Sequence, residues 1–139
     1  MRFFIFLLLS SYIFGNIWHV STSGSNDNDG SEESPFATIQ HGIDASSNGD
    51  TIQVFTGTYL ENIAFNGKTI HLIGSDRVNT ILDGGGNGPC IQVTQSLSGT
   101  AEIKGFTIQN GQGLVGVWPN ESQRAVGGGI LVVYNNVLF

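Results

Sequence analysis

Thr51-Ile52-Gln53-Val54-Phe55-Thr56-Gly57-Thr58-Tyr59-Leu60, continued by Glu61-Asn62-Ile63-Ala64-Phe65-Asn66-Gly67-Lys68-Thr69-Ile70-His71-Leu72-Ile73-Gly74, is the stretch on which the fold turns. Apolar residues alternate with polar ones in short runs (Ile52 and Val54, Ile63 and Phe65, Ile70 and Leu72), the period of a strand with one buried face. The pattern continues through Ile81, Ile91 and Val93, Ile103, Phe106 and Ile108, and Ile130 and Val132. Turn dipeptides break it at Asn66-Gly67, Gly74-Ser75, Asp83-Gly84, Asn87-Gly88, Asn110-Gly111 and Asn135-Asn136.

The runs fall into interleaved series. Ile52, Ile70 and Ile91 are 18 and 21 residues apart, Ile63, Ile81 and Ile103 are 18 and 22 apart, and Ile108 to Ile130 adds another 22. Hairpins would recur about every 8–12 residues and give no reason for alternate strands to match. A solenoid does, because like positions of successive coils stack about 4.8 Å apart. The spacing therefore predicts two inward ladders, Ile52/Ile70/Ile91 and Ile63/Ile81/Ile103, with a β-sandwich as the alternative. Gly and Asn at the corners supply the positive φ that tight corners need, and Asn side chains can bond the neighbouring coil's backbone.

Upstream, one helix is expected near residues 37–46. Ser34-Pro35 offers a cap and a first-turn proline, Ile39 and Ile43 form a stripe, and Asn48-Gly49 ends it. That stripe is expected to cover the first coil, so Ile43→Lys should promote aggregation more than Gln40→Lys. Before the helix, Ser21 to Pro35 carries Asp27, Asp29, Glu32 and Glu33 without a basic residue. An EF-hand alignment puts Phe36 where a bidentate Glu is required, so the loop reads as a solvated, turn-rich connection and at most a weak collector of Ca²⁺.

Residues 1–15 read as a secretory signal peptide: Arg2 is the basic start, Phe3 to Leu9 the apolar run, and Ser10, Ser11 and Gly15 the small residues near cleavage. The apolar stretch falls short of the ~20 residues that span a bilayer, so no stable membrane insertion is expected after cleavage. Residues 16–139 then form one domain, secreted to the exterior, the cell surface or the periplasm. Its single cysteine excludes a disulfide-stapled fold, and Cys90 reads as a buried small hydrophobe. The formal charge of -6 falls to -7 once Arg2 is removed (-6 - 1), which argues against nucleic acid or an anionic membrane as partner.

Pro35-Phe36-Ala37-Thr38-Ile39-Gln40, Ile43-Asp44-Ala45, Gly49-Asp50-Thr51-Ile52-Gln53-Val54, Gly57-Thr58-Tyr59, Glu61-Asn62 and Leu72-Ile73-Gly74 together resemble the N-terminal start of the right-handed parallel β-helix superfamily. Pectate-lyase-like proteins, pectin methylesterases and many secreted repeat proteins share that start. Ile103-Lys104-Gly105-Phe106-Thr107-Ile108-Gln109-Asn110-Gly111 and Gly127-Gly128-Gly129-Ile130 are similar to repeats of polymorphic outer-membrane-type members. The resemblance covers nearly all of 18–139. It implies an all-β, right-handed parallel β-helix with a short N-terminal capping helix, and it leaves activity open.

The chemistry is sparse. An eliminating lyase needs a basic residue beside a uronate and a cation or basic cluster. Lys68, Arg77, Lys104 and Arg124 are scattered over separate segments and read as surface charges. The paired aspartates and glutamines of a methylesterase are absent; Gln123-Arg124-Ala125-Val126 has only a faint likeness to the first glutamine segment, and Asp83-Gly84-Gly85 is first a turn. His71 points outward between Ile70 and Leu72, while His19, His41 and His71 lack metal-ligand spacing. Asn120-Glu121-Ser122 matches a glycosylation sequon without further support. No catalytic, cofactor-binding or metal residue is assigned.

The apolar run Ile130 to Phe139 has no charge and no cap, so the chain reads as cut off in mid-repeat. The expectation is a secreted carbohydrate-binding or cell-surface adhesive module, inactive in itself, with a polysaccharide or cell-surface partner; the sequence assigns no oligomeric state. The alternatives are a fragment of a polysaccharide lyase or pectin esterase whose active site lies in further coils, and a structural stalk.

Overall fold

The computed structural model describes residues 15–93, 99–113 and 129–132. Residues 1–14 of the expected signal peptide, Arg124 and its segment, the sequon and the run beyond Val132 lie outside them. The alternating runs form short strands: β1 (Ile17–Val20), β2 (Thr51–Val54), β3 (Gly57–Leu60), β4 (Ile63–Ala64), β5 (His71–Gly74), β6 (Thr80–Asp83), β7 (Ile91–Val93), β8 (Glu102–Lys104), β9 (Thr107–Gln109) and β10 (Ile130–Val132). One helix, α1 (Ile39–Ala45), lies between β1 and β2.

Every strand pair among the described residues is parallel. The first sheet has the order β1-β2-β5-β8, the second β3-β6-β9 and the third β10-β7-β4. A parallel pair cannot be closed by a tight hairpin and needs a crossover. Here strands of the other two sheets supply it, so from β2 onward the chain visits first, second and third sheet in turn, three times over. The described residues are all-β with one short helix.

Residues from all three sheets meet in one core. Val20, Ile52, Val54 and Leu72 come from the first sheet, Tyr59 and Leu82 from the second, Ile63, Ile91 and Val93 from the third, with Phe65, Ile70 and Cys90 from the corners. Each fully buried aliphatic contributes about 1.5–3 kcal/mol. The Cys90 side chain lies in this core as expected, and burial pushes its thiol up.

The ladders differ from those the isoleucine spacings predict. Ile52 stands beside Leu72, and Leu72 beside Ile103, in the first sheet; Ile63 stands beside Ile91, and Ile91 beside Ile130, in the third. Ile70 is wholly buried but sits at the corner before β5. Ile81 faces outward, in register with Thr58 and Thr107. The cause is unequal connections: Ile52 to Leu72 is 20 residues (72 - 52) and Leu72 to Ile103 is 31 (103 - 72), so a near-constant period in the sequence crosses between sheets.

The expected corners do use positive φ, at Asn66 (50°) with Gly67 (77°) and at Asn110 (52°). Gly74 and Gly105 stack more tightly still: a Cβ on Gly105 would stand 2.1 Å from the Gly74 carbonyl oxygen, so neither position admits a side chain. Asn62 shows the expected cross-bonding, its amide nitrogen lying 3.1–3.3 Å from the carbonyls of Gly84, Gly88 and Pro89.

The helix starts later than Ser34-Pro35. Phe36 is drawn into an extended bridge with Val20, accepting from Ser21 N–H (2.9 Å) and donating to the His19 carbonyl (2.9 Å), and its ring stacks on Trp18. Its backbone is then unavailable to a helix, and Thr38 becomes the cap, its hydroxyl accepting from His41 N–H. Together with His19 N–H donating to the Gly30 carbonyl, these bonds lay the polar loop along the outer edge of β1. Within that loop Asn26 Oδ1 accepts from Ala37 and Thr38, and Asp29 Oδ1 from Ser31, as in a turn-rich connection.

α1 carries no acidic residue in its first turn and no basic residue in its last. Both charges come from later in the chain. The Glu61 carboxylate accepts from Ile39 N–H (2.9 Å) and Gln40 N–H (3.0 Å), and Lys68 Nζ donates to the carbonyls of Ile43 (2.6 Å) and Asp44 (2.8 Å). An anion at the N-terminus and a cation at the C-terminus complement the helix dipole. Burial pushes the Glu61 carboxyl up, against the pull of the two N–H groups. Ile39 and Ile43 are fully buried over the core, as their stripe predicts. Gln40 is not the bystander expected of the opposite face: its amide accepts from Ala64 N–H (2.8 Å) and donates to the Ala64 carbonyl (3.2 Å), closing the free edge of β4.

Candidate functional site

The outward positions of the second sheet form rows across its strands. One row runs Leu60, Asp83, Gln109, and the other Thr58, Ile81, Thr107. Where the first row meets the turns after β6 and β9, an open cleft of about 570 Å³ is lined by Gly85, Gly86, Asn110, Gly111 and Gln112.

Asp83 organises this place. Its Oδ1 accepts from Gly85 N–H (2.9 Å), and its Oδ2 accepts from Gln109 Nε2 (2.8 Å) and Asn110 Nδ2 (2.8 Å). Those bonds, the one from Gln109 foremost, hold its carboxyl below the usual range. A carboxylate can only accept, so both amides turn their NH₂ groups toward it and their oxygens away. The two turns are also tied through the backbone: Gly84 N–H donates to the Gln109 carbonyl (2.9 Å), Gly86 N–H to that of Asn110 (2.7 Å) and Gln112 N–H to that of Gly88 (2.7 Å). The left-handed conformation of Asn110 completes the bend. The result is a held array of amide oxygens, N–H groups and one carboxylate beside a cleft. Such an array forms hydrogen bonds with hydroxyl groups.

The outward face of the first sheet holds the other polar group. Thr51, His71 and Glu102 share one row and His19, Gln53, Ile73 and Lys104 the other. Glu102 lies 3.7 Å from His71 Nδ1 and 3.1 Å from Lys104 Nζ. All three side chains are partly exposed on the surface, where such pairs contribute about 0–1 kcal/mol. His71 does point outward, as its alternation predicts; its neighbour Glu102 was hidden from sequence reading by the 31-residue distance (102 - 71). His19 packs beside Phe55, and His41 stands edge-on to the Phe36 ring.

The basic side chains among the described residues sit in separate places. Lys68 is spent on α1, Lys104 on Glu102, and Arg77 is exposed in the turn before β6. Among the described residues no three His, Cys, Asp or Glu side chains gather as a metal would need, and no helix is long and apolar enough to cross a membrane.

Residues 22–95 match a family model described as a protein of unknown function, DUF1565. The chain belongs to this family. The DUF1565 match runs from the loop on the edge of β1 through α1 to β7, so it takes in Asp83 and the Gly85-Gly86 side of the cleft, while Gln109 to Gln112 lie beyond it. The chain is also 31% identical over 75 residues to the uncharacterized protein YwoF of Bacillus subtilis (strain 168). That alignment covers 50% of this chain and 16% of YwoF, so the chain spans about a sixth of that relative. No solved structure matches.

Proposed function

We propose that this DUF1565 chain forms part of a right-handed parallel β-helix, exported by its first 15 residues, whose side holds a neutral carbohydrate chain without turning it over. The β-helix reading is supported by the order in which the chain visits its three parallel sheets, each visit stacking on the strand of the previous round. The observation that carries the binding reading is the interlocked Asp83, Gln109 and Asn110 beside the Gly85 to Gln112 cleft. Vicinal hydroxyls are donors and acceptors at once, and this lining offers both. Its only charge is negative, which disfavours a polyuronate unless a cation intervenes.

Retention of the purified chain in gels containing soluble neutral or uronate polysaccharides, with and without Ca²⁺, tests the reading. Asn110→Gly keeps the left-handed backbone and deletes the amide; combined with Gln112→Ala it should weaken retention by neutral polymer about tenfold, the loss of two hydrogen bonds. Retention by pectate alone, equal retention of wild type and the double variant, or release of unsaturated sugar or methanol would each overturn it.

A further inference from the structure

Leu60 is the odd member of its row. Its side chain is 73% exposed, yet it stands in register with Asp83, and Asp83 with Gln109. Single exposed leucines are ordinary. This one ends beside the cleft: a Cβ built on Gly85, which lines it, would meet Leu60 Cδ1 at 3.2 Å, so the glycine leaves room at the leucine's end. Gly85 has φ of 60°, a conformation that also excludes most side chains.

On the other side stand the groups left over after Asp83 has been satisfied. The side-chain oxygens of Gln109 and Asn110 face away from the carboxylate, and Gly111 N–H makes no hydrogen bond among the described residues. An amide acceptor pair, a backbone donor and an exposed methyl-bearing side chain thus lie within one row and the turn beside it.

We infer that this cleft selects an N-acetylated amino sugar: the acetamido methyl rests on Leu60, its carbonyl accepts from Gly111 N–H, and its N–H donates to an amide oxygen of Gln109 or Asn110. A hydroxyl at the same ring position could use the polar groups but would leave Leu60 wet. A deoxysugar methyl could use Leu60 but not the N–H and oxygen together. The inference rests on the carbohydrate reading above and narrows its substrate class.

Calorimetric titration with two hexamers of the same linkage, chitohexaose and cellohexaose, separates the two proposals. The wild-type chain should bind chitohexaose at least tenfold tighter. Leu60→Ser, an exposed change that leaves the core intact, should bring the two ligands within about twofold while leaving cellohexaose binding unchanged. Equal binding of both hexamers by the wild type, or a preference that survives Leu60→Ser, would overturn the acetamido assignment alone. Binding of neither would overturn the carbohydrate reading itself.

Discussion

Gln40→Ala removes one side chain from a half-exposed helix face, where the usual cost would be within about 0.5 kcal/mol. The structure predicts more. The Gln40 amide is the partner of both backbone groups of Ala64, at 2.8 and 3.2 Å, on the edge of β4 that no strand among the described residues covers. Each of these bonds contributes a net 0.5–1.5 kcal/mol, so truncation should cost about 1–3 kcal/mol, reduced by the few tenths that alanine gains in helix propensity. With a urea m-value of roughly 1–3 kcal/mol/M, the midpoint should fall by about 1 M. Hydrogen exchange at the Ala64 N–H should accelerate by at least tenfold while Ile91 N–H, in the next strand of the sheet, keeps its protection. Gln40→Glu should do no better than alanine, because it cannot donate to the Ala64 carbonyl and sets a like charge four residues from Asp44. A midpoint for Gln40→Ala within 0.1 M of wild type, with unchanged exchange at Ala64, would refute the idea that this amide closes the sheet edge.

Gly105→Ala should lower the melting temperature by roughly 5 °C or more, since the new Cβ would stand 2.1 Å from the Gly74 oxygen at a φ of 77°; a melting curve unchanged within 1 °C would show that the two corners can part. Asp50 is buried and accepts from Asn16 N–H (2.7 Å), Ser47 N–H (2.8 Å) and Trp18 Nε1 (3.0 Å). Burial pushes its carboxyl up, but these bonds and the Lys68 charge outweigh it and hold the carboxyl below its ordinary 3.8. The stability it contributes is therefore present above that value and lost as pH falls through the lower, folded one. The gap in unfolding free energy between wild type and Asp50→Asn should close below about pH 3.8, and a gap that stays constant to pH 2 would contradict this.

The strands were legible because alternation is a local property, and so was the buried stripe Ile39/Ile43 of the helix. Which strand stacks on which was not. Register depends on corner lengths, and the corners grow from one round to the next, so equal spacing of isoleucines misassigned Ile70, Ile81 and Ile91. The same ignorance hid the candidate site: Asp83 looked like a turn, Gln109-Asn110 like the end of a repeat, and only the pairing of β6 with β9 brings them to 2.8 Å. The helix start was misplaced because Phe36 answers to β1, a tertiary demand that cap preferences cannot register. Glu61 and Lys68 gave no sign of their role, for a cap supplied from another segment leaves no motif.

A seven-residue helix is far below the length that holds in water by itself, and both ends of α1 are gripped by side chains that follow it in the chain, Glu61 by 22 residues from Ile39 and Lys68 by 25 from Ile43. The lid over the first round is thus finished by the round it covers. At roughly 5–20 residues per second, about 1–5 s separate the emergence of Ala45 from that of Lys68 on a growing chain. During that interval the buried faces of β1 and β2 have no cover, so the order of synthesis sets a window in which a holding factor, or rapid passage, decides between folding and association.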